Sequence, residues 1–292
     1  MSAPLVEAGE LRQLERLRYA HLDALMAGLV GRPVGAAGGR GLEFAEYRPY
    51  TPGDDLRRLD ANVYARLRQP VVKSSPAERQ LGLALLLDAS GSMGPVGRHA
   101  ARLTALLGAI ALLRGDRVRL SALADSGARA ERQLWGPRAL GALTEQVEAV
   151  RWGARTDLAR SLRAARSPAG AAQVAVLVSD ALIASAALDE TIVALAGSGR
   201  ATALVQVVDA APLEGQRGAV ELRDAESGER MVVALTPAVV AAYRERVDAQ
   251  VERVAATCSA HGVAHVRADV GAPPLDQLLG LVGRGAVLER TR

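Results

Sequence analysis

The feature that most constrains the fold is the run Leu81-Gly82-Leu83-Ala84-Leu85-Leu86-Leu87, which passes without a break into Asp88-Ala89-Ser90-Gly91-Ser92-Met93-Gly94. A run with no polar position has no side to offer to water, so it reads as a strand at 81–87 covered on both faces. Further short apolar runs predict strands at 117–123, 173–179, 201–208 and 263–268. Longer helical patterns lie between and after them, near 97–114, 137–149, 157–166, 184–197, 237–259 and 274–283. This alternation predicts a doubly wound α/β domain, with a mostly parallel sheet and helices on both faces.

The chain is large and apolar enough for such a core, with 292 residues, 49% hydrophobic and 23% charged. Wholesale disorder and collagen-like repeats are excluded. The 36 basic groups exceed the 32 acidic ones only slightly, and Lys73 is the only lysine. Residues 1–80 carry 12 basic and 10 acidic groups and the remainder 24 and 22, so neither part is a polycationic arm. With two Trp, five Tyr and one Phe, a base-stacking platform has little to build on, and no nucleic-acid partner is expected. Cys258 stands alone, which rules out an intrachain disulfide, and Met1 to Glu7 lacks the layout of a signal peptide. The apolar stretch Leu103 to Leu113 is far shorter than the ~20 residues of a spanning helix. A cytoplasmic protein without a membrane anchor is the expectation.

Two parts are expected, residues 1–80 packed on a core domain of 81–292. Leu11, Leu14, Leu17, Leu22, Leu25 and Leu29 recur at helical spacing, which predicts an amphipathic helix over about 8–29. A glycine-rich loop follows. Residues 42–80 read as irregular and polar, with a turn at Thr51-Pro52-Gly53-Asp54, a short helix over 56–67 and a strand at 71–73. Two short apolar runs flanking Ser227-Gly228 predict a small hairpin insertion near 215–235.

The chemistry concentrates at strand ends. Asp88, Ser90 and Ser92 follow the first core strand, at the carboxyl edge where ligands bind in open α/β sheets. Gly91 is expected to let the loop turn back so that the three oxygens converge. Asp180 closes the strand at 173–179, and Thr156 stands just before a helix. Five hard oxygen donors with no sulfur or imidazole suit Mg²⁺ or Mn²⁺, with Ca²⁺ also possible, and not Zn²⁺. Two carboxylates balance a divalent charge, so a further carboxylate from a partner can still be attracted.

Asp88-x-Ser90-x-Ser92, followed by Thr156 and Asp180, resembles the metal-ion-dependent adhesion site of von Willebrand factor A domains, and the likeness spans about residues 81–208. The resemblance implies a von Willebrand A-like, Rossmann-like fold. It implies that the two serines and the threonine contact the metal directly or through water, that the aspartates support it largely through water, and that a partner's Glu or Asp completes the shell. Upstream, Gly41-Leu42-Glu43-Phe44, Arg48, Tyr50, Gly53-Asp54-Asp55, Arg57 and Asp60 are similar to the signature of the bacterial domain of unknown function 58, with Ala65-Arg66 and Glu78 also in place. That likeness covers roughly 30–290. The chain departs from the family pattern at Ala61, where Trp is usual, and in lacking the transmembrane helices of many members. The family implies a non-enzymatic adaptor working with a MoxR-type AAA+ ATPase or its client in maturing or assembling other proteins.

Competing readings are weaker. Asp88 as the nucleophile of a metal-dependent phosphatase or hydrolase wants a second carboxylate where Ser90 stands and a well-placed lysine, whereas Lys73 lies upstream of the core. No phosphate-binding P-loop sequence is present. Asp157 reads as a helix cap. His261 and His265 are separated by a helix end and do not form a zinc pair. Cys258 reads as a buried, unactivated thiol, and Arg48, Arg57 and Arg58 with Asp54, Asp55 and Asp60 read as an internal ion-pair network in preference to a docking surface for a partner.

Overall fold

The computed structural model of the chain describes residues 4–16, 47–49, 70–73, 82–124, 129–130, 132–153, 156–165, 172–209, 218–225 and 228–285. The main sheet contains β3 (Gly82–Asp88), β4 (Arg117–Leu123), β7 (Ala172–Ser179), β8 (Gly199–Val208) and β11 (Ala264–Asp269), all parallel in the order β11-β8-β7-β3-β4. Two short strands, β5 (Arg129–Ala130) and β6 (Leu134–Trp135), pair antiparallel with β4 at the edge. The chain moves outward from β3 to β4 and then returns to the other side of β3 with β7. The topological switch point therefore lies between β3 and β7, which fixes where a ligand crevice can open.

The period of two in β3 builds two cores. Leu83, Leu85 and Leu87 enter one, while Leu86 enters the other. The first is covered by α2 (Gly97–Leu113), α3 (Leu140–Glu148) and α7 (Pro274–Gly285), and the second by α4 (Leu158–Ala164), α5 (Ser185–Ala196) and α6 (Pro237–Ala260). α2 is apolar nearly all round because it is buried nearly all round. Truncating a fully buried leucine such as Leu85 to alanine would cost about 2–5 kcal/mol. This is the doubly wound, mostly parallel α/β architecture expected from the sequence, with element ends within two residues of the expected ones except where the helix near 137–149 begins as a short 3₁₀ turn.

The N-terminal helix α1 (Ala8–Arg16) docks on α2 through buried Leu5 and Leu14. Arg102 of α2 clamps it, donating to Glu7 at 3.2 Å, Glu10 at 2.7 Å and the Leu5 carbonyl at 3.3 Å. The rest of the helix expected to residue 29, the helix expected at 56–67, and the ion-pair network beyond Arg48 lie outside the described residues. One expectation is corrected within 42–80: Tyr47–Pro49 is not irregular but forms β1, paired antiparallel with β2 (Val71–Lys73). The insertion is a hairpin of β9 (Gly218–Arg223) and β10 (Arg230–Leu235). Among the described residues, no helix is long and apolar enough to cross a membrane.

Candidate functional site

The parallel register sets Leu87 beside Val178, so Asp88 and Ser179 end adjacent strands at the switch point. Asp88 is 1% exposed. Its Oδ1 accepts from the Ser90 amide at 2.9 Å and its Oδ2 from the Ser179 hydroxyl at 2.6 Å. Both bonds fix the carboxylate and aim it at the loop. Ser179 Oγ also accepts from the Ala181 amide at 2.9 Å, tying the turn after β7 to the end of β3.

Asp180 is buried beside it, its Oδ1 accepting from the Leu182 amide at 3.0 Å and its own amide donating to Met93 Sδ at 3.1 Å. The next residue, Ala181, holds φ at +53°, a conformation costly for a residue with a Cβ. Gln206 and Gln250 brace this turn, donating to the carbonyls of Asp180 at 3.1 Å and Ala181 at 2.9 Å. Backbone strain held by surrounding bonds is a recurrent feature of functional turns.

Ser90 Oγ and Ser92 Oγ share a hydrogen bond at 3.1 Å, in which either can donate. Two ligands about 2.1 Å from an octahedral ion and at right angles to each other lie about 3.0 Å apart, so the hydroxyl pair has the spacing of adjacent positions around one small divalent cation. With Asp88 and Asp180 beside it, the donor set is hard oxygen throughout and suits Mg²⁺ or Mn²⁺. Among the described residues no group of three or more His, Cys, Asp or Glu side chains could hold a metal, so a cation site here depends on hydroxyls.

The structure brings Asp88, Ser90, Ser92 and Asp180 to one sheet edge. Thr156, half-buried, stands two residues before α4, and the Gly153 amide donates to the Ala89 carbonyl at 3.4 Å. Asp157 caps α4, accepting from the Arg160 amide at 2.9 Å.

Gly91 requires a correction. It does not adopt a left-handed φ, so conformational freedom is not its role. A Cβ there would stand 2.7 Å from the Ala225 carbonyl oxygen, so glycine is needed to let the β9–β10 hairpin tip lie on the loop.

Sequence reasoning missed Ser179, Met93, Gln206 and Gln250. The signal for Ser179 was its position next to Asp180 at a strand end, but its partner is set by strand register. The histidines part company: His261 bonds Asp189 at 2.9 Å and His265 bonds Gln206 at 2.9 Å. Burial pushes the Cys258 thiol up to about 12, which leaves it inert at neutral pH.

Residues 46–253 match the family described as "Protein of unknown function DUF58". The chain belongs to this family. A relative, "Uncharacterized protein Rv1480" of Mycobacterium tuberculosis (strain ATCC 25618 / H37Rv), is 33% identical over 248 residues, covering 80% of this chain and 75% of its own. "Uncharacterized protein Mb1516" of Mycobacterium bovis matches to the same extent. Among solved structures, the conserved hypothetical protein BatB from Bacteroides thetaiotaomicron superposes with a TM-score of 0.43 and 17% identity, over 70% of this chain and 98% of that one. An aerotolerance-related membrane protein from Bacteroides fragilis gives a TM-score of 0.39 and 15% identity over the same shares.

Proposed function

We propose that this DUF58 protein is a non-enzymatic, divalent-metal-dependent interaction module, in which a von Willebrand A-like domain carries a metal-ion-dependent adhesion site. Asp88, Ser90, Ser92, Thr156 and Asp180 would hold Mg²⁺, with Mn²⁺ or Ca²⁺ as alternatives. The observation that carries the reading is the 3.1 Å hydroxyl pair of Ser90 and Ser92 beside two buried carboxylates at the switch point. A bound cation would supply a centre of positive charge for a partner's Glu or Asp. A MoxR-type AAA+ ATPase, or its client, is the partner that the family resemblance favours.

Asp88 as a phosphoryl-accepting nucleophile has less support, because the carboxylate is buried and each oxygen is committed to an internal donor. Such an enzyme would turn over a generic phosphate ester in a metal-dependent way, and Asp88→Asn would abolish that turnover.

Thermal unfolding in chelator, and then with each ion added, tests the reading. Metal at about 100 times its dissociation constant should stabilise the native state by about 2.7 kcal/mol, a rise of several degrees. The rise should vanish in Ser90→Ala/Ser92→Ala. No rise with any ion, or an equal rise in the double variant, would remove the metal site from these residues.

A further inference from the structure

Beside the candidate metal site lies a cavity of about 190 Å³ between α6 and the carboxyl end of β8. It arises because the apolar stripe of α6 outruns the core beneath it. Val254 and Cys258 on that stripe are fully buried. Tyr243, Val247 and Val251, one to three turns earlier on the same stripe, are only half-buried because the cavity lies under them. Val96 contributes a further apolar wall, and Leu182, 61% exposed, stands at the rim.

The polar groups of this cavity are largely committed within the protein. Gln206 and Gln250 donate to the carbonyls of Asp180 and Ala181, and the Tyr243 hydroxyl donates to the Asp209 carbonyl at 3.2 Å. An occupant therefore meets mainly apolar surface, except on one side. That side is formed by Ser92 and Asp180, two of the five candidate metal-site residues. The cavity and the metal site thus share a wall, so whatever completes the metal stands at the cavity mouth.

We infer that the cavity is a specificity pocket for an acidic segment of a partner protein, taking a large apolar side chain adjacent to the carboxylate that meets the metal. The inference rests on the metal-dependent reading of the site. Its size is adequate, since an apolar cavity of about 150 Å³ holds a benzene molecule. The charges explain why the carboxylate and the apolar group act together. Without a cation, Asp88 and Asp180 repel an acidic segment, and with one, the carboxylate is drawn to the rim and delivers its neighbour to the pocket. Selectivity among acidic partners would then come from the apolar group.

The test is an NMR shift titration of the full chain with 3-phenylpropionate, propionate and 3-phenylpropanamide, each in Mg²⁺ and in chelator. In Mg²⁺, 3-phenylpropionate should bind about tenfold more tightly than propionate, because its ring is buried, and about tenfold more tightly than the amide, because only the carboxylate meets the cation. Val247→Phe, which fills the cavity, should erase the advantage over propionate and keep the Mg²⁺-induced thermal shift. Equal binding of the two carboxylates, or an advantage that survives Val247→Phe, overturns the pocket while leaving the metal site standing. Binding of both carboxylates that is indifferent to Mg²⁺ overturns the metal reading and the pocket with it. A dimer of the wild type that Val247→Phe dissociates would assign the cavity to a second copy of the chain and overturn the partner assignment.

Discussion

The Ser179 hydroxyl donates to Asp88 Oδ2 at 2.6 Å across the boundary between β7 and β3, where the sheet order reverses. One bond thus couples the two strand ends that carry the candidate site, and the same oxygen accepts from the Ala181 amide in the strained turn. Ser179→Ala removes a hydrogen bond to a buried carboxylate, and a loss of about 1.5–3 kcal/mol in urea unfolding without metal is expected. Metal affinity should fall about 10–100-fold, because the group that orients Asp88 is gone. An unchanged affinity would mean that the Ser90 amide alone suffices to aim Asp88.

Gly91 meets the hairpin through backbone, so its neighbour cannot yield by turning a side chain. Gly91→Ala is expected to cost about 1–3 kcal/mol and to raise amide exchange in residues 218–223 and 230–235 selectively. If exchange rises evenly across the chain, the hairpin is not what the glycine accommodates.

Arg114 and Asp116 form an ion pair of 2.8 Å with both side chains 2% exposed, at the turn joining α2 to β4. Asp116→Ala leaves a guanidinium buried, and a cost of about 3–5 kcal/mol is expected. The double replacement Arg114→Met/Asp116→Leu should cost less than the single one, since it removes the two charges of the pair together. Denaturation midpoints of the three proteins decide the matter.

Two histidines predict a pH response. His99 is held below its ordinary 6.5 chiefly by burial, with the Arg102 charge adding to the effect and Asp269 opposing it. His265 is lowered by burial. Between each lowered value and 6.5 the unfolded chain binds more protons than the native one, so stability rises with pH there. The contribution is complete above about 6.5 and is lost as pH falls below it. Urea midpoints should therefore drop from pH 7.5 to 5.5, and less so in His99→Gln/His265→Gln. An equal drop in that variant would assign the effect to other groups.

Cys258 should resist alkylation by iodoacetamide at pH 8 in the folded chain and react once unfolded, because its thiol is fully buried and barely ionised there. Fast labelling of the native protein would contradict the packing of α6 on the sheet.

Sequence alone determined the strands and helices of the core, because apolar periodicity is local and long enough there to be read. It also singled out Asp88, Ser90, Ser92 and Asp180, because strand ends mark where a doubly wound sheet can hold polar groups, and Thr156 through its place before a helix in the resembled motif. Three short strands escaped it. Tyr47–Pro49, Arg129–Ala130 and Leu134–Trp135 are too brief for a period, and only their pairing with other strands defines them. Only tertiary structure decided that Ser179 anchors Asp88, that Gly91 is small on account of Ala225, and that the stripe of α6 overhangs a cavity next to Ser92. Each of these depends on strand register or on the packing of one element over another, and neither is carried by any single stretch of sequence.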